Sequence, residues 1–384
     1  MKIGFFMDDF YPSMNGVIEV MDNYAKGLIK KGYEVVMVVP EVDKNYVDNF
    51  DYKVYRLKSI RLKNFEYSIT TGCYSKKVMN DLIAENFDVI HIHSPFLVGN
   101  LGIKLAKKCG IPVVSSMHTQ FDYEIRRVVK LEFIVKLLLS YVARTFNKCD
   151  KNFAVNNKTA DVFLDYKVKN RPDVMITGTD YKLVSNQKKA EKFVNELYKI
   201  DKNELVFSFV GRLTVVKNIL FLLEALKILR DKKIDYKMIF VGPFEDEELI
   251  MDKVNKLGLN KNLIFTGKIT DKSLLQKIYA RSKLFLFPSL FDTNSLVQKE
   301  AASQKVPTVF IKGSVTAEFV VDNENGFLAE NSPRLYAQRI IDIINDKKLY
   351  KNVSKNAYET LYIHWDDLID DLILEYKNII EHTK

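Results

Sequence analysis

Cysteine is scarce in this chain, and what little there is carries no pattern. Cys73, Cys109 and Cys149 stand far apart without metal-ligand or disulfide spacing, which excludes a stapled fold and suits a reducing cytosol. Long hydrophobic runs are missing too, for none approaches the roughly 20 residues that a membrane span needs. Met1 to Phe10 holds one lysine and an apolar run cut by Asp8 and Asp9, so it reads as neither signal peptide nor anchor. No internal repeat, low-complexity segment or complete G-x-G-x-x-G fingerprint occurs. Acidic residues are the minority charge, 49 against 58 Lys and Arg, leaving a net charge of +9. That excess suits an anionic partner, either a membrane face or nucleic acid, and the lack of any recognised nucleic-acid-binding module disfavours the second. With 384 residues, 47% of them hydrophobic, the chain can fill two ordinary cores, and disorder is excluded. A cytoplasmic protein, at most peripheral to a membrane, is expected.

Apolar strands alternate with helical periods along the whole length. Lys2–Met7, Val35–Pro40, Val89–His93, Val113–Met117 and Lys151–Val155 read as strands of a first series. After the polar helix Lys188–Lys199, a second series runs through Leu205–Val210, Met238–Gly242, Leu263–Gly267 and Leu284–Pro288. This order predicts an α/β protein of two Rossmann-like, doubly wound parallel-sheet domains facing across a cleft.

Chemistry gathers at the ends of particular strands. After Leu284–Pro288 come Asp292, Thr293, Asn294 and Ser295, and Ser295 with Gln298 forms a capping box that opens a helix. A helix start at a strand's carboxyl end points unpaired amides at an anion. Asp292 and Glu300 flank that start, where both carboxylates can accept hydroxyls. Gly211-Arg212-Leu213 and Lys217-Asn218 follow Leu205–Val210 and precede another helical period; Arg and Lys so placed can clamp a diphosphate, although a solvent-facing loop looks the same. Strand, Gly16 loop and helix repeat the phosphate-approach layout near the start, equally readable as a turn without ligand. His118 follows the strand VVSSM at a sheet edge, where a structural histidine is the commoner finding. His91 and His93 lack acidic or cysteine companions, so they read as structural rather than metal-binding.

Asp292 and Glu300, separated by seven residues on a strand-loop-helix, resemble the E-x7-E motif of retaining glycosyltransferases of family 4, which have the two-Rossmann-domain GT-B architecture. GRL-x3-KN at 211–218 is similar to that family's diphosphate site, and His118-Thr119 to its H-T motif. The resemblance implies that Arg212 and Lys217 hold the diphosphate, that Asp292 and the Asn294, Ser295, Leu296 and Val297 backbone hold sugar and phosphates, and that Glu300 holds the ribose. It further implies Gly16 against the phosphates, Ile269 beside the base and His118 beside the sugar. Asp292 is one methylene shorter than the family's usual glutamate, and Asn294-Ser295 replaces an aromatic and a glycine. Residues 1–180 then correspond to an acceptor domain, 200–362 to a nucleotide-sugar domain, and about 365–384, opened by Trp365, to a helix that crosses back onto the first.

Within the family, the DTNSLVQKEAASQ stretch looks most like bacterial enzymes that glucosylate diacylglycerol. This implies transfer of glucose from UDP-glucose, with retention and without metal or other cofactor, to a lipid at the inner face of the cell membrane. A soluble sugar or glycan precursor as acceptor, and a nucleotide-sugar epimerase, remain as alternatives. Two basic stretches suit an anionic membrane surface: 52–77, where Lys53, Arg56, Lys58, Arg61, Lys63, Lys76 and Lys77 alternate with aromatics, and 126–148, where Arg126, Lys130, Arg144 and Lys148 fall on one side of a continuous helix. The bland readings are a solvated face for the first and core packing for the apolar residues of the second.

Overall fold

The computed structural model of the chain describes residues 1–13, 15–43, 45–61, 68–290, 292–293 and 295–383. It divides into two compact units, Met1–Thr177 with Trp365–Lys384, and Gly178–His364.

The first unit is built on a parallel sheet of β1 (Lys2–Phe6), β2 (Glu34–Pro40), β3 (Lys53–Leu57), β6 (Val89–Ile92), β7 (Val113–Met117), β8 (Lys151–Ala154) and β9 (Asp173–Val174), with a small antiparallel pair, β4 (Ser59–Arg61) and β5 (Ser68–Thr70), beside it. Among the described residues the order is β3-β2-β1-β6-β7-β8-β9. Helices α1 (Gly16–Lys30), α2 (Lys76–Ile83), α3 (Leu97–Cys109), α4 (Phe121–Val128), α5 (Glu132–Phe146) and α6 (Asn157–Asp165) make the crossovers. In the second unit α7 (Gln187–Tyr198) leads into β10 (Leu205–Val210), α8 (Ile219–Asp231), β11 (Tyr236–Val241), α9 (Glu247–Leu257), β12 (Leu263–Phe265), α10 (Lys272–Arg281), β13 (Leu284–Phe287), α11 (Leu296–Ser303), β14 (Thr308–Ile311), β15 (Phe327–Ala329), α12 (Pro333–Asn345) and α13 (Lys347–Thr360). Its sheet order is β12-β11-β10-β13-β14-β15, again parallel throughout.

Both orders reverse direction at a switch point, between β1 and β6 and between β10 and β13, as the doubly wound reading requires. The strands are near-continuous apolar runs because helices cover both sheet faces. Val35–Val39 and Leu284–Phe287 are buried throughout. Helix starts are set by side chains that take the first free amides: Asn15 accepts from Val17 and Ile18, Asn156 from Thr159, and Ser295 from Gln298 at 3.2 Å. The capping serine expected at 295 is thus in place.

The terminal helix α14 (Trp365–Thr383) belongs to the first unit. Trp365 meets Tyr24 edge to face at 5.3 Å, and Ile369 lies so close to Gly27 that a Cβ there would come within 2.9 Å of it. Lys30–Asp366, Lys31–Asp370 and Lys151–Glu375 ion pairs flank the seam, and Tyr376 reaches the buried His91. This close aliphatic contact seats α14 against α1; the exposed ion pairs add little.

Two expectations about the basic stretches are corrected. The segment 126–148 is not one helix: Val129 and Leu131 are extended (φ −108°, ψ 118° and φ −88°, ψ 112°), so α4 stops and α5 restarts. Arg126 pairs with Asp122 and Glu132 and is not a free cation facing a partner. In 52–77, Lys53 pairs with Glu85, Arg56 with Asp48 and two backbone carbonyls, and the buried Tyr52 donates to Asp22 at 2.6 Å. Those residues hold β3 in the sheet. Lys63, Phe65, Glu66 and Tyr67 lie outside the described residues.

Replacing Tyr376 by Phe deletes the partner of a fully buried imidazole nitrogen at almost constant volume. A loss of about 1–3 kcal/mol is expected, read as a lower urea midpoint at unchanged m-value.

Candidate active site

The switch point of the second unit assembles charge from three loops, those after β10, β11 and β13. β10 ends at Gly211, whose amide donates to Val241 O at 2.9 Å, while Leu213 N donates to Pro243 O at 2.8 Å. The loop after β10 is thereby laid against the loop after β11. The approach is so close that a Cβ on Gly242, which has φ +140°, would lie 2.0 Å from the Gly211 carbonyl oxygen. Only glycine allows it. Val215 N then donates to Asp246 at 2.7 Å, and Thr214 caps the short 3-10 turn Val215–Lys217. Asn218, in the left-handed region at φ +61°, starts α8 and donates to Pro288 O at 3.2 Å. Arg212 and Lys217 are therefore fixed by backbone on both sides.

Each cation meets a carboxylate. Arg212 Nη1 lies 2.5 Å from Glu245 Oε1, and Lys217 Nζ pairs with Asp292 Oδ1. Lys217 also stands 5.8 Å above the Phe287 ring, a face that favours a cation. The Lys217–Asp292 pair is about four-fifths buried on both sides. Among the described residues the second, buried oxygen of Asp292 has no hydrogen-bond partner, a costly state for a carboxylate oxygen.

Beyond Asp292, Ser295 caps α11, and the Leu296 and Val297 amides, as first residues of the helix, have no acceptor within it. Glu300 is buried and accepts from the Tyr279 hydroxyl at 2.7 Å. Lys299 beside it is buried as well, and burial brings its ammonium down to about 7. Ile269 is half-buried against the core at the end of the loop after β12, whose Gly267 carbonyl accepts from Gly242 N. Asn294 lies outside the described residues. The structure thus gathers Arg212, Lys217 and Asp292, puts Ser295, Leu296, Val297 and Glu300 on the adjoining helix, and leaves Ile269 on the neighbouring loop.

In the first unit, Gly16 is the first residue of α1 and is exposed. Asn15 caps it while donating to Asp9 at 2.9 Å. Asp8 is buried, takes hydrogens from Ser94 Oγ at 2.5 Å and Val98 N at 2.9 Å, and so ties the loop after β1 to the start of α3. Burial raises its pKa against those hydrogen bonds. His118, one residue past β7, stacks on His93 at 5.3 Å with 13° between planes, and His93 stacks on His91 at 4.1 Å. His118 Nε2 lies 3.0 Å from His93 Nδ1, while His91 pairs with Tyr376 and, at 2.8 Å, with Ser116. Burial depresses all three, His118 to about 4 and the others well below 6.5, with the neighbouring imidazoles adding to it for His91 and His93.

Sequence reasoning missed Glu245, Tyr279 and the contact of His93 with His118. Tyr279 had one available signal, a tyrosine at helical spacing before the Arg281-Ser282 end of α10; Glu245 in the acidic run 245–248 had none. Among the described residues no group of three or more His, Cys, Asp or Glu is arranged to hold a metal ion.

Two doubly wound units, one with a cation pair at its switch point, are the parts expected of the GT-B architecture. Residues 14–182 match the family described as Glycosyltransferase Family 4, and residues 190–360 match Glycosyl transferases group 1; the chain belongs to these glycosyltransferases. It is similar to the alpha-monoglucosyldiacylglycerol synthase of Acholeplasma laidlawii, 26% identical over 400 aligned residues that cover 96% of this chain and 98% of that protein. The alpha-monoglucosyldiacylglycerol synthase of Streptococcus pneumoniae is 24% identical over 313 residues, 80% of this chain and 70% of that one. Among solved structures, Anabaena HepE in complex with UDP-glucose has a TM-score of 0.77 at 17% identity, covering 98% of this chain and 100% of that chain. That likeness is one of fold.

The imidazole stack makes stability depend on pH. Each ring has a folded pKa below 6.5, so its contribution is complete above pH 6.5 and is lost as pH falls toward the folded values. Asp8 acts in the opposite sense, its raised pKa favouring the fold at low pH. The fall in Tm from pH 7 to pH 5 is therefore compared between wild type and His118→Gln; a shallower fall in the variant is expected.

Proposed function

We propose that this glycosyltransferase moves a hexose, glucose from UDP-glucose, onto the hydroxyl of a diacylglycerol-type lipid with retention of anomeric configuration. The observation that carries the donor half is the Arg212, Lys217 and Asp292 cluster, in which two cations wait on carboxylates and one buried carboxylate oxygen has no partner among the described residues. A diphosphate entering this loop replaces Glu245 and Asp292 as the acceptor for Arg212 and Lys217. Asp292 is then released to accept a hexose hydroxyl, which also satisfies its orphaned oxygen. The Leu296 and Val297 amides, with Asn294 and Ser295, serve the phosphates and sugar, Glu300 the ribose hydroxyls and Ile269 the base. Gly16 and His118 serve the phosphates and hexose from the first unit.

In the transfer the acceptor oxygen bonds to the anomeric carbon on the face that the diphosphate leaves. The carbon–oxygen bond to the diphosphate breaks, and the acceptor's proton passes to a phosphate oxygen. Negative charge grows on the leaving UDP, where Arg212 and Lys217 stabilise it more than in the ground state. These side chains supply the needed positive charge, so turnover in the presence of EDTA is expected.

Two observations favour a lipid acceptor over a soluble one. Two relatives, aligned over 96% and 80% of the chain, are named alpha-monoglucosyldiacylglycerol synthases. In addition, α5 presents Phe133 (69% exposed), Leu137 (60% exposed) and Tyr141 along one outward stripe, with exposed Val128 and Leu131 before it and exposed Lys130, Lys136, Arg144 and Lys148 around it. Such a face enters the headgroup region while the cations meet anionic lipid. No described helix is long and apolar enough to cross a membrane, so peripheral binding at the inner face of the cell membrane is the corresponding reading.

The reading is tested by product analysis with UDP-glucose and anionic vesicles containing diacylglycerol. An α-glucolipid is expected; hexose transfer only to a soluble acceptor overturns the lipid assignment. Lys217→Ala is expected to lower turnover about 100-fold or more with cooperative unfolding retained, and near-normal turnover removes Lys217 from the donor site. The double variant Phe133→Glu, Leu137→Glu should bind anionic vesicles at least about tenfold more weakly than wild type in co-sedimentation, since each buried ring or isobutyl group is worth roughly 1.5–3 kcal/mol. Equal binding discards the α5 face.

A further inference from the structure

We propose that His93 is a positioning residue for His118, holding it in the tautomer that carries its hydrogen on Nδ1. The inference rests on the reading of His118 as a contact of the donor hexose. β6 and β7 are neighbouring parallel strands, and the chain leaves them at the same sheet edge. His93 N donates to Phe6 O at 2.9 Å, and the ring is held by His91 at 4.1 Å, Phe5 edge-on at 5.2 Å and Tyr24 at 6.5 Å. The imidazole therefore has one orientation, with Nδ1 3.0 Å from His118 Nε2.

A nitrogen pair at that distance shares one hydrogen, because two lone pairs repel and two N–H groups clash. Burial keeps both rings neutral near pH 7. Each ring then has one N–H, and the direction of the shared hydrogen bond fixes both tautomers. His93 Nε2 decides the direction: it is buried and without a partner. An orphaned buried N–H is rarer than an under-satisfied acceptor, so the hydrogen of His93 sits on Nδ1 and is donated to His118 Nε2. His118 accordingly carries its own hydrogen on Nδ1, as a donor suited to a hexose hydroxyl oxygen. His91 does not compete, since Tyr376 and Ser116 occupy both its nitrogens. Asp8, whose partner Ser94 follows His93 in the chain, is turned to that serine and the start of α3.

The test is long-range 15N NMR on protein labelled at its five histidines, with His118→Ala used for assignment. Wild-type His118 should show a protonated Nδ1 and a bare Nε2; protonation on Nε2 overturns the proposal without any variant. His93→Phe keeps an aromatic ring and loses the donor, so the Nδ1-protonated fraction of His118 should fall, whereas His93→Asn, whose amide can stand in for the Nδ1 hydrogen, should restore it. With UDP-glucose, kcat is expected to fall about tenfold in His93→Phe, the worth of one hydrogen bond, at donor KM within about twofold, and to recover in His93→Asn. An unchanged tautomer and kcat in His93→Phe overturn the proposal. Should wild type not turn over UDP-glucose, the functional reading fails at that point, and the tautomer measurement still decides the role of His93.

Discussion

The ion pair of Lys217 with Asp292 joins the two loops on which the donor half depends. The residues stand 75 apart in sequence, on loops after β10 and β13, and those strands are neighbours only because the sheet order reverses between them. A pair this far buried would be expensive to leave half made, since removing either partner strands a charge in low dielectric. The same property makes it a good exchange site. On the proposed reading, a diphosphate would offer Lys217 a stronger acceptor at no further desolvation cost to the ammonium, and Asp292 would be freed for hydroxyls. Arg212 and Glu245 repeat the scheme nearer to solvent, where the pair is weaker and the exchange correspondingly cheap. Within the protein, Glu245 and Asp292 balance the charge of Arg212 and Lys217.

The first unit handles polarity in the opposite way. Around the ends of β1, β6 and β7 its buried groups are kept neutral or saturated with hydrogen bonds: three imidazoles lower their pKa values, and Asp8 collects a hydroxyl and the first amides of α3. Neutral imidazoles are directional partners without long-range field, so they select geometry rather than attract charge. Attraction for the anionic donor thus resides in the second unit. α14 is the support of this arrangement, because Tyr376 fills the hydrogen-bonding position of His91 and Trp365 packs on Tyr24, which in turn lines His93.

Much of this was legible in the sequence because it is local. The alternation of apolar runs with helical periods identified the two parallel α/β units, and boundaries moved by only a residue or two, as at Tyr236–Val241 against 238–242. Arg212 with Lys217, and Asp292 with Glu300, stood out as two local pairs since strand, loop and helix start are contiguous in the chain; that the two pairs serve one site was implied by the family resemblance and not by spacing. The contacts that could not be read are those made by folding: His93 with His118 is 25 residues apart, Tyr279 with Glu300 is 21, and His91 with Tyr376 is 285. Helical periodicity also misled at 126–148, where the apolar pattern continues through Val129 and Leu131 although the backbone there is extended. Pattern reports which side of a helix is apolar; it does not report a break whose residues are themselves apolar.

That segment shows why core packing and lipid contact were not exclusive readings. Val135, Val142, Ala143 and Phe146 are buried and account for one face of α5. Phe133, Leu137 and Tyr141, at i, i+4 and i+8, form a second face that faces outward. Core packing explains the first set and leaves the second unexplained, and a contiguous exposed stripe of large side chains is a cost in solubility unless something covers it. The surrounding cations suit the anionic cover proposed above, and at 129–131 the backbone is extended, with Val128 and Leu131 exposed beside the break. A straight helix from 121 to 148 would have spread those residues around its circumference. The extended link therefore frees the α5 stripe from the register of α4, so the proposed lipid face is set by α5 alone.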